Sequence, residues 1–306
     1  LLDDLIEYVY GGVNCKLILI GDTAQLPPVG LDISPALNDQ LLASHYLKDV
    51  YMIQLSQVVR QTKTSMILSN ATSIRDQISQ KAESYPRLDC AGDVVRLDSG
   101  DELQYALEAA YSDSGYEDTV VICRSNKRAN LYNQQVRYKI RWYEEELSAG
   151  DYLMVVRNNY FWLPEKSKAG FIANGDMVEV LAVYDTIERY GFRFARINAR
   201  LVDYPDEPNI EVVCLLDTLM SQTPSMTYDE YKKLYAAVSI DYMHIDNANL
   251  RNKAIKEDEF FNALQIKFGY AVTCHKSQGG QWKHVFVEQG YFVDNMLNKE
   301  YLRWLY

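Results

Sequence analysis

Hydrophobic and polar positions change rhythm along this chain, and each rhythm predicts a different kind of element. A short apolar run, Leu17-Ile18-Leu19-Ile20, stands between polar stretches and predicts a buried strand. Residues 51–55 and 93–97 read as further strands. Between them Met66, Ile67, Ala71, Ile74 and Ile78 recur at helical spacing. Ser99-Gly100-Asp101-Glu102 reads as a capping box opening a helix that carries Leu103, Ala106, Leu107 and Ala110. Residues 119–123 give a fourth strand, and Ser125 is placed to cap the long basic helix after it. Such alternation predicts α/β structure, with a parallel sheet covered on both faces.

The rhythm changes near Gly150. Segments 152–156, 177–183, 192–197 and 210–216 read as strands with no helix between them. Asn174-Gly175-Asp176 and Tyr190-Gly191 mark turns. Short successive strands of this kind predict a small antiparallel barrel. Thr227-Tyr228-Asp229-Glu230 then opens another capped helix, and residues 249–265 read as helical. Residues 266–272 return as one buried strand, and 284–288 give another. The barrel therefore reads as an insertion within an α/β domain.

Composition narrows the class. The chain has 306 residues, 48% hydrophobic and 24% charged, as in ordinary globular proteins. It has no apolar run of the ~20 residues needed to span a membrane and does not open on a signal segment. The expectation is a cytoplasmic protein with no membrane partner. Its five cysteines show no CxxC or His-Cys metal spacing, which points to free thiols in a reducing compartment. The net charge of −11 argues against a protein that coats nucleic acid indiscriminately, yet permits a local grip on one strand. Residues 120–143 carry Arg124, Lys127, Arg128, Arg137, Lys139 and Arg141 without an acid, and Glu144-Glu145-Glu146 follows. This is either a solvated helix face ended by an acidic turn or a patch near a nucleic-acid path.

The most informative string is Gly21-Asp22-Thr23-Ala24-Gln25-Leu26-Pro27-Pro28-Val29-Gly30. It follows the 17–20 run, and ligands of open α/β sheets bind at the carboxyl ends of strands. It resembles motif III of superfamily 1 DNA helicases of the RecD-like kind, similar to the exodeoxyribonuclease V alpha subunit. Thr273-Cys274-His275-Lys276-Ser277-Gln278-Gly279-Gly280-Gln281-Trp282 resembles motif V of that family, and Leu55-Ser56-Gln57-Val58-Val59-Arg60-Gln61 its motif IV. Gly150-Asp151-Tyr152-Leu153-Met154-Val155-Val156-Arg157-Asn158-Asn159, with Asn174-Gly175-Asp176, resembles the start of the SH3-like insertion in the second RecA-like domain.

The resemblance covers nearly the whole chain. It implies a P-loop NTPase type of fold, RecA-like with an inserted SH3-like barrel. Residues 1–50 would be the C-terminal part of the first RecA-like domain. Residues 51–148 and 262–306 would form the second, and 149–261 the barrel with a helical extension. It further implies a parent enzyme that binds ATP and Mg²⁺ between its two RecA-like domains and unwinds duplex while moving along single-stranded DNA, 5′ to 3′. Gln25 would sense the γ-phosphate, since an amide both donates and accepts. Asp22 would orient it or couple to Mg²⁺ through water. Arg60 would stabilise charge developing on the phosphoryl group. Gly21, Gln278, Gly279 and Gln281 would face the nucleotide. Gln281 stands where the family often carries a glutamate, so the implied contact there is a neutral hydrogen bond. Thr273, His275 and Lys276 would hold DNA phosphates, which are sequence-blind contacts. Tyr160-Phe161-Trp162, in a barrel loop, is a candidate for base stacking, with packing as its alternative; Trp282 fits the core better.

Some family parts are missing from the 306 residues. There is no Gly-x-x-x-x-Gly-Lys-Ser/Thr and no Walker B Asp-Glu pair. Residues 302–306 resemble the approach to motif VI, without its arginine. The chain reads as a fragment that is not ATPase-competent alone, with no tightly held cofactor and no metal site. Expected partners are single-stranded DNA and nuclease or recombination subunits, in DNA repair. The alternative is a non-catalytic nucleic-acid-binding or scaffold subunit with a degenerate helicase architecture. An unrelated α/β hydrolase would need a Gly-x-Ser-x-Gly elbow, which is absent.

Overall fold

The computed structural model describes residues 1–28, 30–31, 33–55, 64–80 and 87–289. They divide into two compact units, Leu1–Leu97 and residues 98–289.

The first unit carries α1 (Leu2–Tyr10), α2 (Asp39–Tyr46) and α3 (Met66–Ser79). Side-chain caps start the last two: Asn38 Oδ1 accepts from Leu41 N at 3.0 Å, and Ser65 Oγ from Leu68 N at 3.3 Å. Polar side chains tie the segments together. The Tyr46 hydroxyl donates to Asp3 at 2.6 Å, the Ser65 hydroxyl to Asp93 at 2.6 Å, and Asn70 exchanges two bonds with the backbone of Asp89. The runs at 17–20, 51–55 and 93–97 are not strands, contrary to expectation. None joins a ladder among the described residues, and an extended segment without ladder partners leaves its backbone to water. The 17–20 run shows the consequence. Leu17 and Leu19 are half-buried, while Ile18 and Ile20 are 81% and 93% exposed.

The second unit opens with α4 (Gly100–Ser114). Its predicted capping box is half realised. Ser99 Oγ accepts from Glu102 N at 3.1 Å, but the Glu102 carboxylate reaches past the cap to Asp98 N. Strand β1 (Thr119–Cys123) leads through Ser125, which caps as predicted, into α5 (Asn126–Gln135) and a π-helical turn, Val136–Ile140. A closed barrel follows, made of β2 (Tyr152–Val155), β3 (Met177–Arg189), β4 (Phe192–Leu201), β5 (Ile210–Leu215) and, after two helices, β6 (Leu264–Phe268). The pairing is antiparallel except where β5 meets β6 in parallel. Leu153, Val178, Ile197, Val212 and Ile266 fill its interior and are fully buried.

The helices α6 (Tyr228–Asp241) and α7 (Ala248–Lys256) cover one outer wall. Leu234, Val238 and Ile255 pack there against Phe194, Val213 and Leu215. Thr227 and Glu230 form the predicted capping box of α6. The expected helix over 249–265 is shorter than predicted. α7 stops at Lys256, because Asp258 caps a new turn by accepting from Phe260 N and Phe261 N at 2.9 and 2.8 Å.

The run at 266–272, expected as one strand, is two. β6 closes the barrel, and β7 (Ala271–Thr273) joins a parallel sheet in the order β7-β1-β8, with β8 at His284–Val287. The barrel thus ends at Phe268 rather than before residue 262. Asn133 of α5 fixes the switch. Its amide donates to Phe268 O and Ala271 O at 3.1 and 2.9 Å and accepts from Ala271 N at 2.7 Å. Beside it Arg137 holds Asp151 bidentately at 2.8 and 2.9 Å, and the Tyr270 hydroxyl donates to the same carboxylate at 3.1 Å. The architecture is mixed α/β with a parallel sheet and a closed five-stranded barrel.

Candidate functional site

In the first unit, Gly21, Asp22 and Gln25 lie on one turn. Gln25 N donates to Asp22 O at 3.2 Å, and the Gln25 side chain is exposed. Gly21 lies against Leu37, where an added Cβ would stand 2.7 Å from Cδ1 and the leucine side chain would have to shift. Both Asp22 oxygens are engaged: Oδ1 accepts from Ala24 N at 3.0 Å, and Oδ2 pairs with Arg75 of α3 at 2.5 Å. Burial pushes the carboxyl up, but the Ala24 N–H and the Arg75 guanidinium outweigh it and hold Asp22 below the usual carboxylate range. Arg75 carries no motif signal, so only the structure reveals it. Arg60 lies outside the described residues, as does the 302–306 approach to motif VI.

In the second unit, the carboxyl ends of three parallel strands converge. β1 delivers Cys123 and Arg124, β7 delivers Thr273, and β8 delivers Glu288. Thr273 starts a one-turn helix, α8 (Cys274–Ser277), and makes no side-chain cap bond to it. His275 is exposed on that turn, and Lys276 donates to Asn174 Oδ1 of the barrel's Asn174-Gly175-Asp176 turn. The predicted strand-holding group and the barrel signature therefore meet at one place. Partial burial lowers the Lys276 pKa.

Gln278, Gly279 and Gln281 follow α8 and are exposed. Gly279 turns the chain with φ +85°. Gly280 lies under the Trp282 ring, where a Cβ would stand 2.0 Å from Cη2. Trp282 itself packs on Val120, Met154 and Val272, the core role expected for it.

The basic segment divides. Arg137 is buried against Asp151, Arg128 pairs with Glu288 at 2.7 Å, and Arg141 lies over the Tyr116 ring. Lys127 and Lys139 are exposed. Much of the segment is therefore structural. Glu288, missed by the sequence reading, has a mostly buried side chain with Oε2 unpartnered among the described residues. All five cysteines are free, and burial raises the Cys123 thiol to about 12.

Asp22 offers no open carboxylate to a cation, and no cluster of three or more His, Cys, Asp or Glu side chains among the described residues is placed to hold a metal. No helix among the described residues is long and apolar enough to cross a membrane.

A family model for the UvrD-like helicase C-terminal domain matches residues 268–306. This match supports a superfamily 1 helicase. It begins at the β6–β7 switch and takes in Thr273, α8 and β8. An uncharacterized protein of Acanthamoeba polyphaga mimivirus is 22% identical, over all of this chain and 69% of its own length.

Proposed function

We propose that this chain belongs to a RecD-like superfamily 1 DNA helicase and supplies the part that senses nucleotide and holds single-stranded DNA. The parallel-sheet unit is read as RecA-like and the barrel as SH3-like. The observation that carries the reading is the β7–α8 junction. There a helicase-type string leaves the carboxyl edge of a parallel sheet, with Thr273, His275 and Lys276 beside the barrel turn.

In this reading Thr273, His275 and Lys276 contact backbone phosphates, a sequence-blind grip suited to a translocating enzyme. Gly21, Asp22, Gln25 and Arg60 report on the nucleotide, with Gln278, Gly279 and Gln281. ATP and Mg²⁺ are held chiefly by residues that these 306 do not contain, since no P-loop lysine is present. Unwinding with 5′-to-3′ movement follows from the resemblance, as do cytoplasmic location and nuclease or recombination partners.

The test is ATP hydrolysis by the natural polypeptide that carries these residues, with and without single-stranded DNA, beside Arg60→Ala. Strong stimulation by DNA is expected, falling roughly 10³-fold in the variant. The 306-residue chain alone is expected to show no turnover. A well-folded natural polypeptide without hydrolysis would replace the motor by the non-catalytic scaffold.

A further inference from the structure

A cavity of about 280 Å³ opens between the barrel loop after β2 and the helical pair α6–α7. Its walls are aromatic: Phe161 from the loop, Tyr231 from α6, and Phe260 and Phe261 from the turn after α7. Arg157 and Lys256 also line it, and no carboxylate does, on a chain whose net charge is −11. Arg157 lies over the Tyr231 ring, 4.8 Å from its centre, and neither cation has an ion-pair partner among the described residues. On the floor stands Gln265, only 8% exposed. Its Oε1 accepts from Met226 N at 2.9 Å, while its amide nitrogen has no hydrogen-bond partner among the described residues.

These features specify a ligand. Flat aromatic walls suit a planar ring, which stacks whatever its identity. The Gln265 amide N–H₂, open to the cavity, can donate to an acceptor such as a base carbonyl. Two unpaired cations at the side of a stacking slot suit a phosphate. The volume falls just under the range of about 300–1,000 Å³ that takes drug-sized ligands, so one ring with its phosphate is the fitting size. Tyr160 also lines the cavity but stacks on Phe171, while Phe161 stands edge-on to Trp162 and Tyr231 lies beside Phe261.

We propose that this cavity seats one nucleotide of a DNA single strand, the base between Phe161, Tyr231 and Phe261 and its phosphate on Arg157 and Lys256. The proposal rests on the reading that the chain binds single-stranded DNA, but it needs neither ATP hydrolysis nor movement.

The test uses the full chain with a labelled oligothymidylate containing 5-iodo-deoxyuridine. Photo-crosslinks are expected in peptides spanning 157–161 or 226–265. Tyr231→Ala should weaken binding about tenfold, in keeping with the loss of one stacked base. Arg157→Ala removes an exposed side chain with little risk to folding, and should weaken binding several-fold while leaving the melting curve unchanged. An oligonucleotide of abasic sites should lose the crosslink and the sensitivity to Tyr231→Ala. Thymidine monophosphate should compete only weakly, because a strand has further contacts. Three results would overturn the proposal. Crosslinks could map only to 273–282, with both variants binding normally. The abasic strand could bind as tightly as the normal one. The mononucleotide could bind as tightly as the strand, making the cavity a free-nucleotide site. Absence of ATPase activity in the natural polypeptide would remove the motor and leave this result standing.

Discussion

Single side chains in this protein do work that their sequence context does not announce. Lys267 sits on β6 with its Nζ donating to Thr218 O at 3.2 Å and Ser221 O at 2.6 Å. Burial, and then the positive charge of Lys276, lowers its pKa to about 8. An unfolded lysine titrates near ~10.4. Between those values the unfolded chain holds a proton that the native chain has released, so stability rises with pH across that window. Below about pH 8 the cost of the buried charge is felt in full. Lys267→Met keeps the apolar stem and removes the charge. Urea unfolding at pH 7 should find it more stable than the parent, and the advantage should shrink by pH 10. Equal destabilisation at both pH values would mean that the two carbonyl bonds matter more than the charge. In the sequence Lys267 is one cation in an apolar run, and nothing there marks it as buried. Gln25, Thr273 and His275 are singled out by sequence for the opposite reason, because they stand in strings of unusual composition. Arg75 and Glu288, which act only through the residues they meet, were not.

At the scale of elements, local signals read well and partner choice did not. Ser125 and Thr227 cap the helices they were expected to cap, because an N-cap depends on its own few neighbours. The barrel strands were legible from their apolar pattern and turn residues. The 266–272 run was not, since Ile266, Phe268, Tyr270 and Val272 are buried on both sides of the switch and hydrophobicity is silent about which sheet receives them. Asn133 makes that decision, through three hydrogen bonds to a backbone that turns from barrel to sheet. Asn133→Ala would leave buried carbonyls and an N–H unpaired, at roughly 2–4 kcal/mol. Asn133→Asp should be little better, because a carboxylate cannot donate to Phe268 O and Ala271 O. Hydrogen exchange should then rise across 268–273 in both variants, with the barrel strands β3 and β4 still protected. Unchanged exchange at 268–273 would show that strand pairing alone holds the switch. The runs at 17–20, 51–55 and 93–97 teach the same lesson, since a strand's pattern is local and its ladder is not.

For the molecule as a whole, charge constrains how the proposed strand would be held. With an excess of eleven negative charges, attraction to a strand would rest on locally placed cations rather than on the net charge. The candidates are Lys276 at α8 and Arg157 and Lys256 at the aromatic cavity. Each phosphate neutralised on a single strand contributes a slope of about −0.7 to the dependence of log affinity on log salt. Three such contacts give a slope near −2, shallow for a DNA-binding protein. Titrating the chain with oligothymidylate from low to moderate salt should return that value, and Lys276→Ala or Arg157→Ala should each reduce it by about 0.7. A slope steeper than about −5 would require a basic surface that the sequence does not supply. A flat one would mean that phosphates are not contacted and would withdraw Lys276 from the strand. Removing Arg157 and Tyr231 together separates the two sites. If α8 and the cavity hold successive parts of one strand, the double variant should keep the α8 share of the slope while losing the base-dependent affinity. The outcome turns on where the cations stand, which net charge alone could never have told.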